Sequence, residues 1–471
     1  MGNKKGGVII GAGPAGLSAA ETLSKTDHGF IVLEATDHTG GISATIKHNG
    51  FYFDLGGHRF FTKNSEIDSY VSNLLGNEQV LVDRSSKILL NGKFFDYPLK
   101  PINGIFGLGP LTATSIIFNY VIERFKFNRP APRSLEDWVI SQFGKTLYML
   151  FFKTYTEKVW GIDCNRISAE WGVQRIKGLS LRTAIIDAFW KKRKKDAASL
   201  LKHFTYPKKG IGVICEKLAE TIRGPNRLLF NAPVKEVFHD GKTITAVVYR
   251  DKEGERKVES DFVISSMPIT ELILSLRPLP PDEVIEAARW LRYRDLVCVA
   301  LMFNKPFVTD QTWIYVHDPS IDFGRLHEPK NWSIHMAPAD KSCVVFEYFC
   351  NEGDAIWDAP DEELYEKTKS DFRESRIAPQ ANDTVFDYKV VRTSKTYPLY
   401  EIGFSRYLLK IRDYLKGFSN LQLVGRYGTY KYNNLDHSLE TGIKGAQNIL
   451  GADNDTFMVN IEDEYLEEIK E

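Results

Sequence analysis

The sequence predicts an α/β fold in which a Rossmann-like dinucleotide-binding domain is interleaved with a mixed α+β substrate domain. Three stretches carry this expectation. VIIG, the glycine turn GAGPAG, the apolar-periodic AGLSAAETLSK and then FIVLE read as strand, turn, helix and strand, the start of a βαβ unit. Across 227–268, RLLFN, VKEVFHD, TITAVVYR and KVESDFVISS read as strands, with DGK and KEGE as turn signals. Near the end, strand LQLVG runs into GRYGTYKYNNLDHS and then a helix, LETGIKGAQNIL.

Taken in order, residues 1–100, 205–268 and 415–452 assemble the nucleotide-binding domain, and 101–204 and 269–414 supply the substrate-facing regions, first helical and then rich in strands. GIFGLGPLTATSIIFNYVI (104–122) is the most apolar segment, and Gly, Pro, Thr and Asn interrupt it, so it reads as a buried helix rather than a membrane span. Residues 137–160 and 168–190 read as helices, with apolar residues at mixed three and four spacings. The run KKRKK (191–195) reads as a solvated helix end, with weak peripheral membrane contact as the competing reading. A strand-rich stretch follows from Val297 to Val391, and 453–471 is an acidic tail ending in IEDEYLEEIKE.

Lys+Arg and Asp+Glu both number 61, a balance that argues against bulk nucleic-acid binding, which needs an excess of cations. The five cysteines contain no C-x-x-C pair, and their odd number suits a reduced, cytoplasmic setting. The opening residues run straight into the strand–turn pattern rather than into a signal-peptide core.

Gly11, Gly13 and Gly16 satisfy G-x-G-x-x-G with a strand before and a helix after. Gly11 permits the tight turn, Gly13 lets backbone approach a pyrophosphate, and Gly16 lets the helix sit close to the strand. Pro14 and Ala15 open the helix, whose N-terminus offers unpaired N–H groups and a positive dipole end to phosphates. Glu34 follows FIVL, in place for an adenosine ribose hydroxyl. Either Asn434 or Asp436 can cap the closing helix, which carries Leu435, Leu439, Ile443, Ala446 and Ile449 on one face. No H-E-x-x-H, G-x-S-x-G or metal-spaced cysteine cluster occurs, and no metal is expected.

A second glycine pair, Gly40-Gly41, and FDLGGHRFF (53–61) go beyond a minimal nucleotide fingerprint. Together with the 227–268 meander they resemble the large FAD-containing family of amine oxidases, porphyrinogen oxidases and UDP-galactopyranose mutases. That resemblance implies FAD and a glutathione-reductase-type FAD domain. Val234, in PVKEV, would touch the adenine side, and Gly425, Arg426, Asn434, Asp436, His437 and Ser438 would bring strand, basic residue and helix N-terminus to the cofactor.

Within the family, FYFDLGGHRFF is similar to the mutases, especially the eukaryotic type, and implies that Gly57 and His58 lie on a mobile loop against the flavin. DYPL implies Tyr97 at the nucleoside, WIYVHD implies Trp313 and Tyr315, and FGRLHEPKNWS implies Arg325 at the diphosphate with Trp332 nearby. FFKTYTEKVWGIDCNRISAEWGVQRIKG implies a second diphosphate arginine, Arg175. TYPLY and GRYGTYKYNNLDHS imply Tyr397 and Tyr432 as diphosphate ligands, with Tyr432 preferred over Tyr427 and Tyr430. Trp332 and Leu99 stand where the family has a tyrosine and another aromatic.

The implied activity is a mutase reaction between pyranose and furanose forms of a nucleoside-diphosphate sugar, a UDP-hexose, for cell-surface polysaccharide synthesis. Reduced-flavin N5 would act as covalent catalyst, and a separate electron donor would keep the FAD reduced. Two arginines suit two phosphate charges, and tyrosines add donors without adding charge. The alternative reading is an oxidase or desaturase of the amine oxidase or protoporphyrinogen oxidase type. A third is a polysaccharide-assembly protein that holds flavin structurally.

Overall fold

Five short parallel strands drawn from distant parts of the chain meet in one sheet. Their order is Arg227–Leu229, Phe30–Leu33, Gly7–Ile10, Val263–Ser265 and Leu421–Leu423. The computed structural model describes residues 6–97, 108–125, 130–176, 199–200, 203–222, 226–460 and 468–469. The strands are apolar on both faces, with Val8, Ile9, Val32, Val263 and Ile264 fully buried, as a parallel sheet covered on both sides requires. KVESDFVISS, read as one strand, is two: Gly254–Glu259 joins a separate four-stranded sheet, and Val263–Ser265 enters the parallel one. Ser260 and Asp261 make the break, with the Asp261 N–H donating to Gly6 O.

The opening helix Pro14–Ser24 and the closing helix Leu435–Ile449 pack directly on each other. A Cβ on Gly442 would lie 2.0 Å from Ala15 O and 2.2 Å from Ser18 Oγ. The Ser18 hydroxyl donates across the same contact to Leu439 O, 2.9 Å. Gly16 has the matching role against the sheet, since a Cβ there would sit 1.9 Å from Gly11 O.

The second half of the chain is built on a seven-stranded sheet that starts Val385–Pro398, Tyr293–Phe303, Ser342–Cys350, Arg325–His327. It continues through Trp313–Val316, Ser86–Leu90 and Lys93–Asp96, so an early segment completes its far edge. Helix Asp361–Ser375 interrupts the expected run of strands. The helix expected over 137–160 is divided, with Leu135–Phe143 ending at Gly144 (φ 82°). A short turn then leads to π-helical Tyr148–Lys153 and α-helical Thr154–Trp160. Helix Pro110–Arg124 corrects the expected burial of 104–122: only Ala113 and Ile116 are buried, and Leu111, Phe118 and Phe125 stand open. It lies on the outside of the helical layer and packs by one narrow face.

No helix among the described residues is long and apolar enough to cross a membrane. All five cysteines are buried free thiols. KKRKK and Leu99 lie outside the described residues.

Asp54 ties the hairpin Thr45–Asp54 to the loop after His203–Pro207. Its carboxylate accepts from Thr45 Oγ1 (2.6 Å), Tyr206 OH (2.6 Å) and the Ile211 N–H (3.2 Å). Burial pushes this carboxyl up to about 7, against the pull of those three bonds. Folded-state protonation therefore outlasts that of the unfolded chain. The stability contribution is complete below about pH 4 and is lost as pH rises to about 7. Asp54→Asn is expected to flatten the fall in stability across that window, read from denaturant midpoints at each pH. Gly442→Ala is expected to cost ~1–3 kcal/mol by forcing the two helices apart, measured by denaturant unfolding; an unchanged midpoint would contradict the tight contact.

Candidate active site

A cavity of about 950 Å³ runs between the parallel sheet and the seven-stranded sheet, near the top of the range for small-molecule sites (about 300–1,000 Å³). Gly11, Gly13, Pro14 and Ala15 line one end, with Glu34, Gly40, Gly41 and Val234. Glycine at positions 13 and 41 is not required by packing against protein. The nearest heavy atoms to a Cβ there lie 3.9 and 4.0 Å away; at Gly13 the missing side chain keeps the cavity clear, and at Gly41 the left-handed backbone (φ 52°) favours glycine as well. Gly13, at the N-cap of the opening helix, supplies no side-chain cap, which leaves the helix N-terminus to a ligand anion. Glu34 faces the cavity while its carboxylate already accepts from the Ala12 N–H (2.7 Å), the Thr36 N–H (2.9 Å) and Thr36 Oγ1 (2.8 Å). This end fits a dinucleotide.

Gly425, Arg426, Asn434 and Ser438 line the cavity from the far edge of the parallel sheet. Asn434 is the N-cap of the closing helix, and His437 Nδ1 accepts its backbone N–H at 3.2 Å. Asp436 therefore does not cap. Asp436 and His437 are turned toward a separate small cleft beside Phe61 and Thr62, which corrects their expected place at the cofactor. Burial raises the Asp436 carboxyl to about 6. Gly16 also lies outside the cavity lining, its role being the packing described above.

Arg426 corrects a second expectation. Its guanidinium does not reach out to a pyrophosphate: Nε and Nη2 donate to Asn433 O (2.9 and 2.7 Å) and Nη1 to Thr396 O (3.1 Å). It lies 4.8 Å from the Tyr432 ring centre and 5.5 Å from that of Tyr397. Those rings stack on each other at 5.4 Å and 12°, with Trp160 edge-on to both. Among the described residues no carboxylate hydrogen-bonds or ion-pairs with Arg426, and this buried cation is offset by carbonyl dipoles and ring faces. Tyr427 also lines the cavity, whereas Tyr430 is turned into the core with its hydroxyl donating to Arg292 O and Leu399 O.

Arg325 lines the cavity, but its fork is committed to the buried Glu347: Nε to Oε1 at 2.7 Å and Nη2 to Oε2 at 2.5 Å. Burial alone would push Glu347 up; the Arg325 charge, the nearby His327 ring (3.5 Å) and the bonds from Arg325 outweigh it and hold the carboxyl at about 2. The loop Gly56–Gly57–His58 rests on this pair, a Cβ at Gly56 falling 3.1 Å from Glu347 Oε2 and 3.3 Å from Arg325 Nη2. His58 and Gly57 line the cavity, with His58 Nε2 bonded to Leu55 O at 3.0 Å. Burial, then the Arg426 charge, pulls the His58 imidazole down to about 4, so it is neutral at physiological pH.

Tyr97, Trp313 and Tyr315 line the other end together, with the Tyr97 and Tyr315 rings 4.7 Å apart. Trp332 is not in the lining; it is buried behind Trp313 (5.7 Å) against Phe204 and Tyr206, and its Nε1–H donates to Thr312 O at 2.7 Å. Its place is structural. Arg175 falls in helix Ala169–Ile176, and its side chain lies outside the described residues.

Tyr155, His317, Phe151, Phe152 and Trp160 also line the cavity and were not singled out from the sequence. The aromatic cluster in FFKTYTEKVW was the available signal. The π-helical turn that sets its phase has no signature in residue types.

The chain matches the family described as flavin containing amine oxidoreductase over residues 14–450. The chain belongs to this flavin-containing amine oxidoreductase family. A Klebsiella pneumoniae relative named "Probable UDP-galactopyranose mutase" is 30% identical over 174 residues, 36% of this chain and 44% of that protein. Chloroplastic protoporphyrinogen oxidase 1 of Spinacia oleracea is 22% identical over 79% of this chain and 71% of its own. Among solved structures of the fold, a reduced UDP-galactopyranose mutase superposes with a TM-score of 0.85 at 22% identity, covering 98% of each chain. A protein described as a protoporphyrinogen oxidase from Exiguobacterium superposes with a TM-score of 0.71 at 16% identity, covering 95% of this chain and 99% of its own. Family membership implies a flavin, and the cradle of Gly13, Gly41 and the uncapped helix fits one.

Removing Arg325 alone strands the Glu347 carboxylate. Arg325→Met is expected to cost ~3–5 kcal/mol of stability, Glu347→Leu to destabilise likewise, and the double variant Arg325→Met/Glu347→Leu to cost less than either single change. Denaturant unfolding of the four proteins in the cycle tests this, and strict additivity would refute the coupling.

Proposed function

We propose that the protein is an FAD-dependent mutase interconverting the pyranose and furanose forms of a nucleoside-diphosphate sugar, of the UDP-galactopyranose/UDP-galactofuranose type, in cell-surface polysaccharide synthesis. The observation that carries the reading is Arg426, a buried cation with no carboxylate partner among the described residues, lying against the stacked Tyr397 and Tyr432 in the cavity wall. A positive charge of this kind favours an anionic ligand beside the two phenols and disfavours an ammonium substrate. The name of the Klebsiella relative supports the same substrate class.

Gly11, Gly13, Gly41, Glu34 and the N-terminus of the opening helix would hold the FAD. Reduced flavin, renewed by a separate electron donor, would supply the nucleophilic centre that breaks and remakes the bond at the anomeric carbon. The chain's own residues then have the leaving diphosphate to manage. Burial pushes the Tyr397 phenol well above its usual range, so it keeps its proton and donates. Tyr432 stacks beside it and offers a second phenol. Arg426 favours the phosphate charge through space, and Arg325, neutralised by Glu347, fixes the wall beneath the His58 loop. Neutral His58, its Nε2–H given to Leu55 O, adds one acceptor without altering the charge balance. Holding the diphosphate at this wall makes its return to the sugar effectively intramolecular. Tyr97, Trp313 and Tyr315 pack the nucleoside.

One observation favours an oxidase: Phe143, Leu147, Phe151, Phe152, Val159 and Trp160 give the cavity an apolar flank. Turnover separates the two readings. The dithionite-reduced flavoprotein is expected to interconvert UDP-galactopyranose and UDP-galactofuranose. No turnover of any nucleoside-diphosphate hexose, with oxygen uptake on an amine or porphyrinogen instead, would establish the oxidase. Tyr432→Phe is expected to weaken UDP binding by about tenfold, as for one buried hydrogen bond to a charged group, with flavin content unchanged.

A further inference from the structure

His317 sits at the aromatic end of the cavity and is buried to 6% exposure, yet Nδ1 has no hydrogen-bond partner among the described residues. The ring stacks on Tyr155 at 4.4 Å and 9°, and Tyr155 stands edge-on to Tyr315 at 5.7 Å. Phe151 meets the imidazole edge-on at 6.4 Å. A hydrophobic side chain would fill this box without leaving a polar atom stranded, so a buried imidazole here calls for a partner from outside the protein.

The histidine is also held in place to a degree that filling space does not require. Its backbone N–H donates to Leu89 O at 2.8 Å. On either side, Lys158 Nζ donates to Val316 O (3.1 Å), Asp318 O (2.9 Å) and Ile321 O (2.6 Å), pinning the segment that carries the ring. Burial, reinforced by the nearby Lys158 charge, pulls the imidazole down to about 3, so it is neutral throughout the physiological range. A neutral imidazole has one N–H donor and one lone-pair acceptor; with the N–H turned to the Phe151 carbonyl, Nδ1 is left as an acceptor for a donor group on the polar edge of a nucleobase.

Resting on the proposed nucleoside-diphosphate reading, we infer that His317 is a specificity-determining residue: it reads the polar edge of the base of the bound nucleotide, within the aromatic box of Tyr97, Phe151, Tyr155 and Tyr315. Nδ1 itself has almost no exposed surface, so a base reaches it by displacing a ring of the surrounding box. The π-helical turn Tyr148–Lys153, directly before Tyr155, is a local irregularity of the kind that accommodates such a shift.

Equilibrium binding to the flavin-loaded protein tests this, with UDP and inorganic pyrophosphate as probes and wild type, His317→Phe and His317→Gln as proteins. His317→Phe keeps the ring stack and removes both polar atoms. It is expected to lose about tenfold in UDP affinity, the size of one buried hydrogen bond, with pyrophosphate affinity unchanged. His317→Gln restores a donor and an acceptor and is expected to recover most of the loss. Equal UDP affinity in wild type and His317→Phe would overturn the inference, as would a parallel loss for UDP and pyrophosphate, which marks a structural role. If His317→Phe fails to fold, the UDP-to-pyrophosphate ratio in His317→Gln against His317→Ala decides, an equal ratio overturning the assignment. A wild-type protein that binds UDP no more tightly than pyrophosphate would instead defeat the nucleoside-diphosphate reading itself, and the role of His317 with it.

Discussion

The contact between the opening and closing helices is the constraint on which the rest of the molecule depends. Both helices start at the cavity, one after the glycine turn and one after Asn434, and they approach closely enough that Gly442 leaves no room for a single carbon against Ala15 and Ser18. This approach brings two helix N-termini, each with unpaired backbone N–H groups, to one side of one space. The parallel sheet gives the helices a floor, with Gly16 seated on Gly11 O and Gly445 against Val424. The second sheet supplies the opposite wall.

Charge across that space is arranged in two ways. Where the Gly56–His58 loop meets the sheet, Arg325 and Glu347 neutralise each other and give the loop a rigid, hydrogen-bonded seat. At the Tyr397–Tyr432 stack, by contrast, the partners of Arg426 among the described residues are backbone carbonyls and ring faces. The same residue type thus serves structure at one wall and electrostatic bias at the other. What separates them is the presence of one buried carboxylate. The low dielectric of the site strengthens both effects, since neither charge is screened by bulk water.

The sequence made the nucleotide half legible because its chemistry is local. A tight turn, a close helix and an acid after the second strand occupy adjoining positions, and the structure puts Gly11, Gly13 and Glu34 around the cavity end. The 227–268 meander was read as strands, but its division between two sheets depends on tertiary pairing that residue types do not encode. Residues whose part is set by a distant partner were misplaced. Arg325 was read without Glu347, which pairs with it from an adjacent strand. Trp332 was placed in the site because it stands where the resembled family has a tyrosine, and its packing on Phe204 and Tyr206 puts it behind the wall instead. Tyr155 and His317 come from segments over 150 positions apart, and their stacking has no sequence signature. Helix Pro110–Arg124 was expected to be buried on composition alone, whereas burial depends on what packs against it.

The order of strands in the parallel sheet bears on how the chain reaches this state. Its centre, Gly7–Ile10, pairs with Phe30–Leu33 on one side and with Val263–Ser265 on the other, and the far edge is Leu421–Leu423. A ribosome adding roughly 5–20 residues per second exposes the first two strands long before the last appears. During synthesis the early βαβ unit must therefore wait with an unpaired strand edge, while the seven-stranded sheet gathers most of its strands. Loops of such length close slowly, and open parallel edges are prone to pairing with other chains. The interleaving that builds one cavity from both ends of the chain makes assembly a late, cooperative event and makes the nascent chain a natural client for chaperones.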